Sequence, residues 1–303
     1  MHQAQVSEWG QAPIYVSASD LPPPSSDENR VKVLATGLHR VVRSRAAGTH
    51  YSSGALPHVP GVDGVGETDD GTIVYFFSFS VGAMSEYVNV PKRSMMPLPK
   101  GIDPVQAAGI VNPAMSSFMA LKTRTTNLPK DFGVLIVGVT SASGRVALHL
   151  ARSFGAKRIV GAARDEAALK KLDIDESVVI AGEAKETDFS KLGDVDVVLD
   201  YVYGPLTEHL FESLKTTEPV EYVHIGALSS LTMNLPGALL RSKNITIRGS
   251  GPGAWSNKQM AALMPDLLTM LKDVPEQAVE VTKLADVEAA WSRSGKQRIV
   301  FVP

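Results

Sequence analysis

The sequence predicts an α/β protein, with a doubly wound parallel sheet of six strands joined to a β-rich domain. Three observations lead there. The apolar run 134–137 meets a helix-like stretch, 145–154, through the turn Gly138-Val139-Thr140-Ser141-Ala142-Ser143-Gly144. From about residue 130 onward strand-like and helix-like patterns alternate, which suits a parallel sheet. Before about residue 110 the chain has only short strand-like runs separated by Gly and Pro, the rhythm of a compact β domain.

In chain order, Leu21-Pro22-Pro23-Pro24-Ser25-Ser26-Asp27 reads as a surface loop ahead of a strand over 30–35. Further strands are expected at 71–77 and 84–90, with turns at Pro60-Gly61 and Asp69-Asp70-Gly71. After the strand 134–137, Val146, Ala147, Leu150, Ala151 and Phe154 give one apolar helix face, and Gly155 is placed to end the helix. Strands follow at 158–163, 177–181, 195–200, 220–225 and 245–248, six in all with the first, and helical patterns such as 205–214 lie between. The tail reads as a helix over 258–271, a strand over 278–281, a helix starting at Asp286 and a last strand, 298–302. These two late strands are suited to rejoin the first domain.

Composition narrows the partners. The chain has 303 residues, 44% hydrophobic and 20% charged, which is ordinary for a folded chain of about two domains. A net charge of -2 without a basic stripe argues against nucleic acid. No run approaches the ~20 apolar residues of a membrane span and no leader pattern opens the chain, so a cytoplasmic location is expected. There is no cysteine, which removes disulfides, thiol nucleophiles and thiolate metal sites. No nucleophile-elbow sequence points to a hydrolase.

The turn at 138–144 carries the chemistry. Gly138 permits a sharp bend, Thr140, Ser141 and Ser143 offer hydroxyls, and the N–H groups of Ala142, Ser143, Gly144 and Arg145 sit at the positive end of a helix dipole. A pyrophosphate fits such a turn. The dinucleotide fingerprint has glycines at three positions, and here Gly138 and Gly144 are present while Ser141 takes the middle place. The second strand ends Ala162-Ala163-Arg164-Asp165: Ala163 falls where an acid would bind a ribose diol, and Arg164 is suited to a 2′-phosphate, which favours NADPH over NADH. Asp165 reads as the N-cap of the following helix.

The stretches Leu56-Pro57-His58-Val59-Pro60-Gly61-Val62-Asp63-Gly64-Val65-Gly66 and Asn112-Pro113-Ala114-Met115-Ser116-Ser117-Phe118-Met119-Ala120-Leu121, the Gly138 turn, and the ending Arg298-Ile299-Val300-Phe301-Val302-Pro303 together resemble the medium-chain dehydrogenase/reductase superfamily, in its zinc-free quinone-oxidoreductase-like branch. The resemblance covers nearly the whole chain. It implies a GroES-like catalytic domain over 1–112, completed by 252–303, and a Rossmann domain over 113–251. It implies NADPH as cofactor, hydride transfer to a small-molecule substrate in a cleft between domains, and a homodimer paired through Ile245-Thr246-Ile247.

Zinc-dependent members of the superfamily place Cys, His-Glu and Cys where this chain looks to have His39, Val62-Asp63 and Asn112. No metal is therefore expected; a residual site from His39, Asp63 and either His50 or His58 is the alternative. Without a Lewis acid the easier substrates are those whose product anion is delocalised, namely enones, enals and quinones. Three residues are candidates to hold or protonate that anion. Tyr51 is either a phenol facing substrate or a loop tyrosine with a backbone partner. His39, where the branch commonly has Asn, either lines the pocket or caps a turn. Asn112 either offers its amide near the nicotinamide or forms a local turn.

Further cofactor contacts follow from the rule that ligands bind outside the carboxyl ends of parallel strands: Asp200, Val202, Gly226, Ala227, Gly249 and Ser250. Asp200 is alternatively a turn acid. Arg298 is either near the phosphates or a solvated strand-end charge. The expected function is a zinc-independent, NADPH-dependent reductase of activated double bonds or quinones; a pathway enoyl reductase, a ketone oxidoreductase and a non-catalytic NADPH-binding sensor are the alternatives.

Overall fold

The computed structural model describes residues 1–293 and 297–303. It divides into two compact units, Met1–Pro113 with Ala261–Pro303, and Ala114–Met260. The boundaries set from the sequence were 112/113 and 251/252.

The first unit opens with β1 (His2–Gln5) and β2 (Ile14–Ser17), an antiparallel pair not expected from the sequence. Next come β3 (Glu28–Gly37), α1 (Arg40–Ala46), β4 (Asp63–Thr68), β5 (Ile73–Phe77), β6 (Tyr87–Pro91) and β7 (Met95–Pro97). The strand expected at 84–90 thus starts three residues later, at Tyr87, after Ala83 and Met84 have been buried by the preceding turn. α2 (Pro104–Thr123) is a 20-residue helix with Pro113 inside it. A turn at Asn112-Pro113 is therefore ruled out. A proline in a helix costs about 3 kcal/mol, and here it is offset by the burial of Ala107, Ala108, Val111, Ala114, Met115, Phe118 and Met119.

The second unit carries β8 (Gly133–Val137), α3 (Ala142–Ser153), β9 (Arg158–Ala163), α4 (Glu166–Leu169), β10 (Glu176–Val179), β11 (Val197–Asp200), α5 (Pro205–Ser213), β12 (Val220–His224), α6 (Gly237–Ser242) and β13 (Ile245–Gly249). All six strands are parallel, in the order β10-β9-β8-β11-β12-β13. The reversal between β8 and β11 is the doubly wound switch point. Alternation along β8 shows why both faces are covered: Val134 and Ile136 join a cluster with Ala147, Leu148 and Ala151 of α3, whereas Leu135 and Val137 join one with Leu206, Leu210 and Phe211 of α5. Gly155, at φ +98, ends the α3 segment as expected, its N–H reaching the Arg152 oxygen.

The chain closes with α7 (Asn257–Met270), β14 (Val279–Lys283), α8 (Val287–Trp291) and β15 (Arg298–Val302). β15 pairs antiparallel with β3 and parallel with β14, so the tail completes the β-rich sheet, in the order β14-β15-β3-β4-β5-β7 with β6 on β3.

Candidate functional site

The turn after β8 is built for close approach. Gly138 adopts φ +92, and its N–H and that of Val139 both point to the Ala162 oxygen, at 2.8 and 3.2 Å. Ser141 caps α3, its hydroxyl oxygen accepting the Gly144 N–H at 3.1 Å. Gly144 has no alternative: a Cβ there would lie 2.3 Å from the Gly138 oxygen and 2.6 Å from Val139 Cα, both backbone. Among the described residues the Ala142 and Ser143 N–H groups have no acceptor, so two donors at the head of a 12-residue helix are free for an anion. Arg145 folds back, Nε donating to the Thr140 oxygen at 3.2 Å. These residues fit a pyrophosphate.

Arg164 follows β9, is exposed, and has no carboxylate partner among the described residues. Asp165 is the N-cap of α4, Oδ1 accepting the Ala168 N–H at 2.9 Å. A 2′-phosphate can therefore reach Arg164 without displacing an ion pair.

At the carboxyl ends of the other strands, Asp200 is in register with Val137 and His224, and His224 with Gly249. Asp200 itself is not open to a ligand. Its Oδ1 accepts the N–H groups of Val202 (2.7 Å) and Tyr203 (3.0 Å), and its Oδ2 accepts the hydroxyls of Thr207 (2.6 Å) and Tyr222 (2.8 Å), in a fully buried position. The cofactor-contact reading of Asp200 is thus corrected to that of a turn acid with both oxygens engaged. Beside that carboxylate the Tyr222 hydroxyl is held far above its ordinary range by burial, and remains a donor. The bonds from Asp200 fix Tyr203 at φ +63, a left-handed conformation unusual for a tyrosine, with its ring 4.2 Å from that of His224. Tyr203, Thr207 and Tyr222 were not singled out from the sequence; their partnership with Asp200 needs the register of neighbouring strands.

Gly226 sits where a Cβ would be 3.1 Å from the Tyr201 oxygen, and Ala227 beside it is half-buried. Among the described residues nothing lies within 4 Å of a Cβ placed at Gly249, while the Ser250 hydroxyl and His224 Nε2 are sealed from water without a hydrogen-bond partner. Gly138, Thr140, Ser141, Ala142, Ser143, Gly144, Arg164, Val202, Gly226, Ala227, Gly249 and Ser250 therefore all lie at or just past the carboxyl ends of the parallel strands.

The first unit gathers His39, Asp63 and Arg298. His39 is the N-cap residue of α1 but makes no side-chain cap, which removes the turn-capping reading. Its ring lies against Gly37, where a Cβ would come within 2.4 Å of Nε2, and Nε2 is 3.3 Å from Asp63 Oδ1 without hydrogen-bond alignment. Tyr75 donates its hydroxyl to Asp63 Oδ2 at 2.9 Å. Arg298 donates to the Leu38 oxygen at 3.3 Å; burial pulls its guanidinium below the ordinary arginine range, and the Asp63 carboxylate works against that pull. Arg298 is half-buried, so the solvated strand-end reading does not hold. Tyr51 is 74% exposed and packs on the His50 ring at 4.1 Å, and Asn112 is half-buried within α2, one turn after Ala108, whose oxygen meets the same Gly37 position as the His39 ring. No group of three His, Asp or Glu side chains among the described residues is arranged to hold a metal ion.

Comparison with known proteins decides the family. The probable NADPH-dependent quinone reductase tdiC of Emericella nidulans is 32% identical, over the whole of both chains. This chain belongs to the medium-chain dehydrogenase/reductase superfamily, in its quinone-oxidoreductase-like branch. The quinone oxidoreductase of Rattus norvegicus is 27% identical over 66% of each chain. Among solved structures, the quinone oxidoreductase of Thermus thermophilus, determined also in complex with NADPH, superposes with a TM-score of 0.78 at 24% identity over the whole of both chains. The quinone oxidoreductase of Pseudomonas syringae pv. tomato gives 0.81 at 19% identity, over all of this chain and 99% of that one. At such identities the likeness is one of fold. No protein-family model matches the chain.

Proposed function

We propose that the protein is an NADPH-dependent oxidoreductase that reduces quinones or other conjugated carbonyl compounds by hydride transfer without a zinc ion. The observation that carries this reading is the helix-capped turn at 138–144, with its two acceptor-free N–H groups, in a chain akin throughout to a probable NADPH-dependent quinone reductase. Ala142 and Ser143 hold the pyrophosphate, and Arg164 the 2′-phosphate. Bound there, NADPH supplies the hydride. Gly226 and Gly249 let backbone approach the cofactor, and Asp200 positions the loop that carries Val202 and Tyr203.

The absence of cysteine from the sequence favours chemistry in which the product anion is spread over a conjugated system and needs only hydrogen-bond donors. His39, with Asp63 behind it, is the donor this reading favours, with Tyr51 and Asn112 as further candidates. Among the described residues β13 is the unpaired edge of its sheet, with Ile247 37% exposed, and suits strand pairing with a second copy. Steady-state assays with a quinone, an enone and a simple ketone, each with NADPH and NADH, test the proposal. NADPH consumption with the quinone or enone is expected; consumption with the ketone alone contradicts it.

A further inference from the structure

Arg45 is a buried cation with no carboxylate among the described residues to neutralise it. It lies in the last turn of α1, 5% exposed, and donates from Nη2 to the Phe79 oxygen at 2.8 Å. Nε and Nη1 are sealed from water and have no hydrogen-bond partner among the described residues. No Asp or Glu among the described residues lies within ion-pair distance of it.

A ring face lies over it instead. Its guanidinium stands 5.0 Å over the Phe79 ring, which lies 6.4 Å from the His50 ring in a stacked arrangement and 5.2 Å from Phe77 edge-on. His50 in turn packs on Tyr51 at 4.1 Å. Burial and the Arg45 charge hold the His50 and His58 imidazoles below their ordinary pKa, so neither adds a competing cation near neutral pH. Residues 48–56, which follow α1 and carry His50, are all half-buried or exposed, and the Ser53 hydroxyl donates to the Arg45 backbone oxygen at 3.3 Å.

A helix C-terminus, one carbonyl oxygen and a ring face compensate a guanidinium only in part. What the arrangement lacks is an oxyanion. Two unpartnered N–H donors of a planar fork beside a ring face are the complement of a flat, conjugated anion. We propose that Arg45 receives the ionised hydroxyl of a hydroxyquinone, making acidic hydroxyquinones the preferred acceptors of this enzyme; the proposal deepens the reductase reading above and rests on it.

Lawsone, a hydroxynaphthoquinone ionised at neutral pH, and its uncharged methyl ether test this. With NADPH and the wild-type protein, the KM for lawsone is expected to be roughly tenfold or more below that for the ether, the size of a buried charge-assisted contact. Equal KM values overturn the proposal, whatever any variant does. In Arg45→Gln the ratio of the two KM values is expected to collapse toward one, with Arg45→Lys between it and wild type. A ratio unchanged in a folded Arg45→Gln protein overturns the assignment to Arg45. Should neither quinone be reduced, calorimetric titration separates the two ideas: tighter binding of lawsone than of the ether, lost in Arg45→Gln, upholds the anion site while the reductase reading fails, and equal binding overturns the site as well.

Discussion

Asp63 Oδ1 lies 3.3 Å from His39 Nε2, and the two side chains are 0% and 2% exposed. Tyr75 donates to the other carboxylate oxygen, and Arg298 feels the charge. Replacing Asp63 by Leu strands these groups together. Breaking a buried charged network in this way costs about 3–5 kcal/mol, to be read from denaturant unfolding. Asp63→Asn keeps an acceptor for Tyr75 and is expected to cost less. A loss below about 1 kcal/mol for Asp63→Leu would mean that the cluster is not held by its carboxylate.

Gly144→Ala places a methyl 2.3 Å from the Gly138 oxygen and 2.6 Å from Val139 Cα. Neither atom is the flexible end of a side chain, so α3 must move away from the turn. A stability loss of about 1–3 kcal/mol is expected, together with NADPH binding weakened by roughly tenfold or more. Gly182→Ala is the control, since nothing lies within 4 Å of its built Cβ. Equal behaviour of the two variants contradicts the close-approach role of Gly144.

Arg164 is exposed and free of ion pairs among the described residues, so its removal disturbs little else. Arg164→Ala is expected to raise the KM for NADPH by roughly tenfold or more while moving that for NADH far less. A similar rise for both coenzymes removes Arg164 from the 2′-phosphate.

Acid should destabilise the fold before the carboxylates titrate. Burial holds His50, His58, His149 and His224 below the ordinary value of 6.5. Below that pH the unfolded chain takes up protons that the folded chain resists, so the unfolding free energy falls as pH falls through the window between the two values. Each imbalance is worth at most about 1.4 kcal/mol per pH unit, and less for these half-buried rings. Denaturant midpoints at about pH 7.5 and pH 5.5 should therefore decline; a midpoint that rises on acidification contradicts this sign.

Local periodicity made the second unit readable. The apolar face of α3, the glycines at 138, 144 and 155 and the Asp165 cap are short-range signals. α2 was hidden because Asn112-Pro113 reads as a break, whereas burial of seven apolar side chains outweighs the proline penalty. The contacts Asp63–Tyr75 and Asp200–Tyr222 join residues 12 and 22 apart, and depend on strand register that no local pattern fixes. Tyr203 at φ +63 runs against tyrosine's own preference and becomes intelligible only once Asp200 is seen to hold its N–H. Arg45 gave no signal as a residue, because only burial distinguishes it from its neighbour Arg43 on the same helix.

Calorimetric titration of the folded protein with NADPH tests the central claim most directly. A saturable exotherm at one NADPH per chain, weakened in Gly144→Ala, is the predicted result. Absence of binding by either NADPH or NADH to well-folded protein would contradict the assignment of the turn after β8 to a dinucleotide.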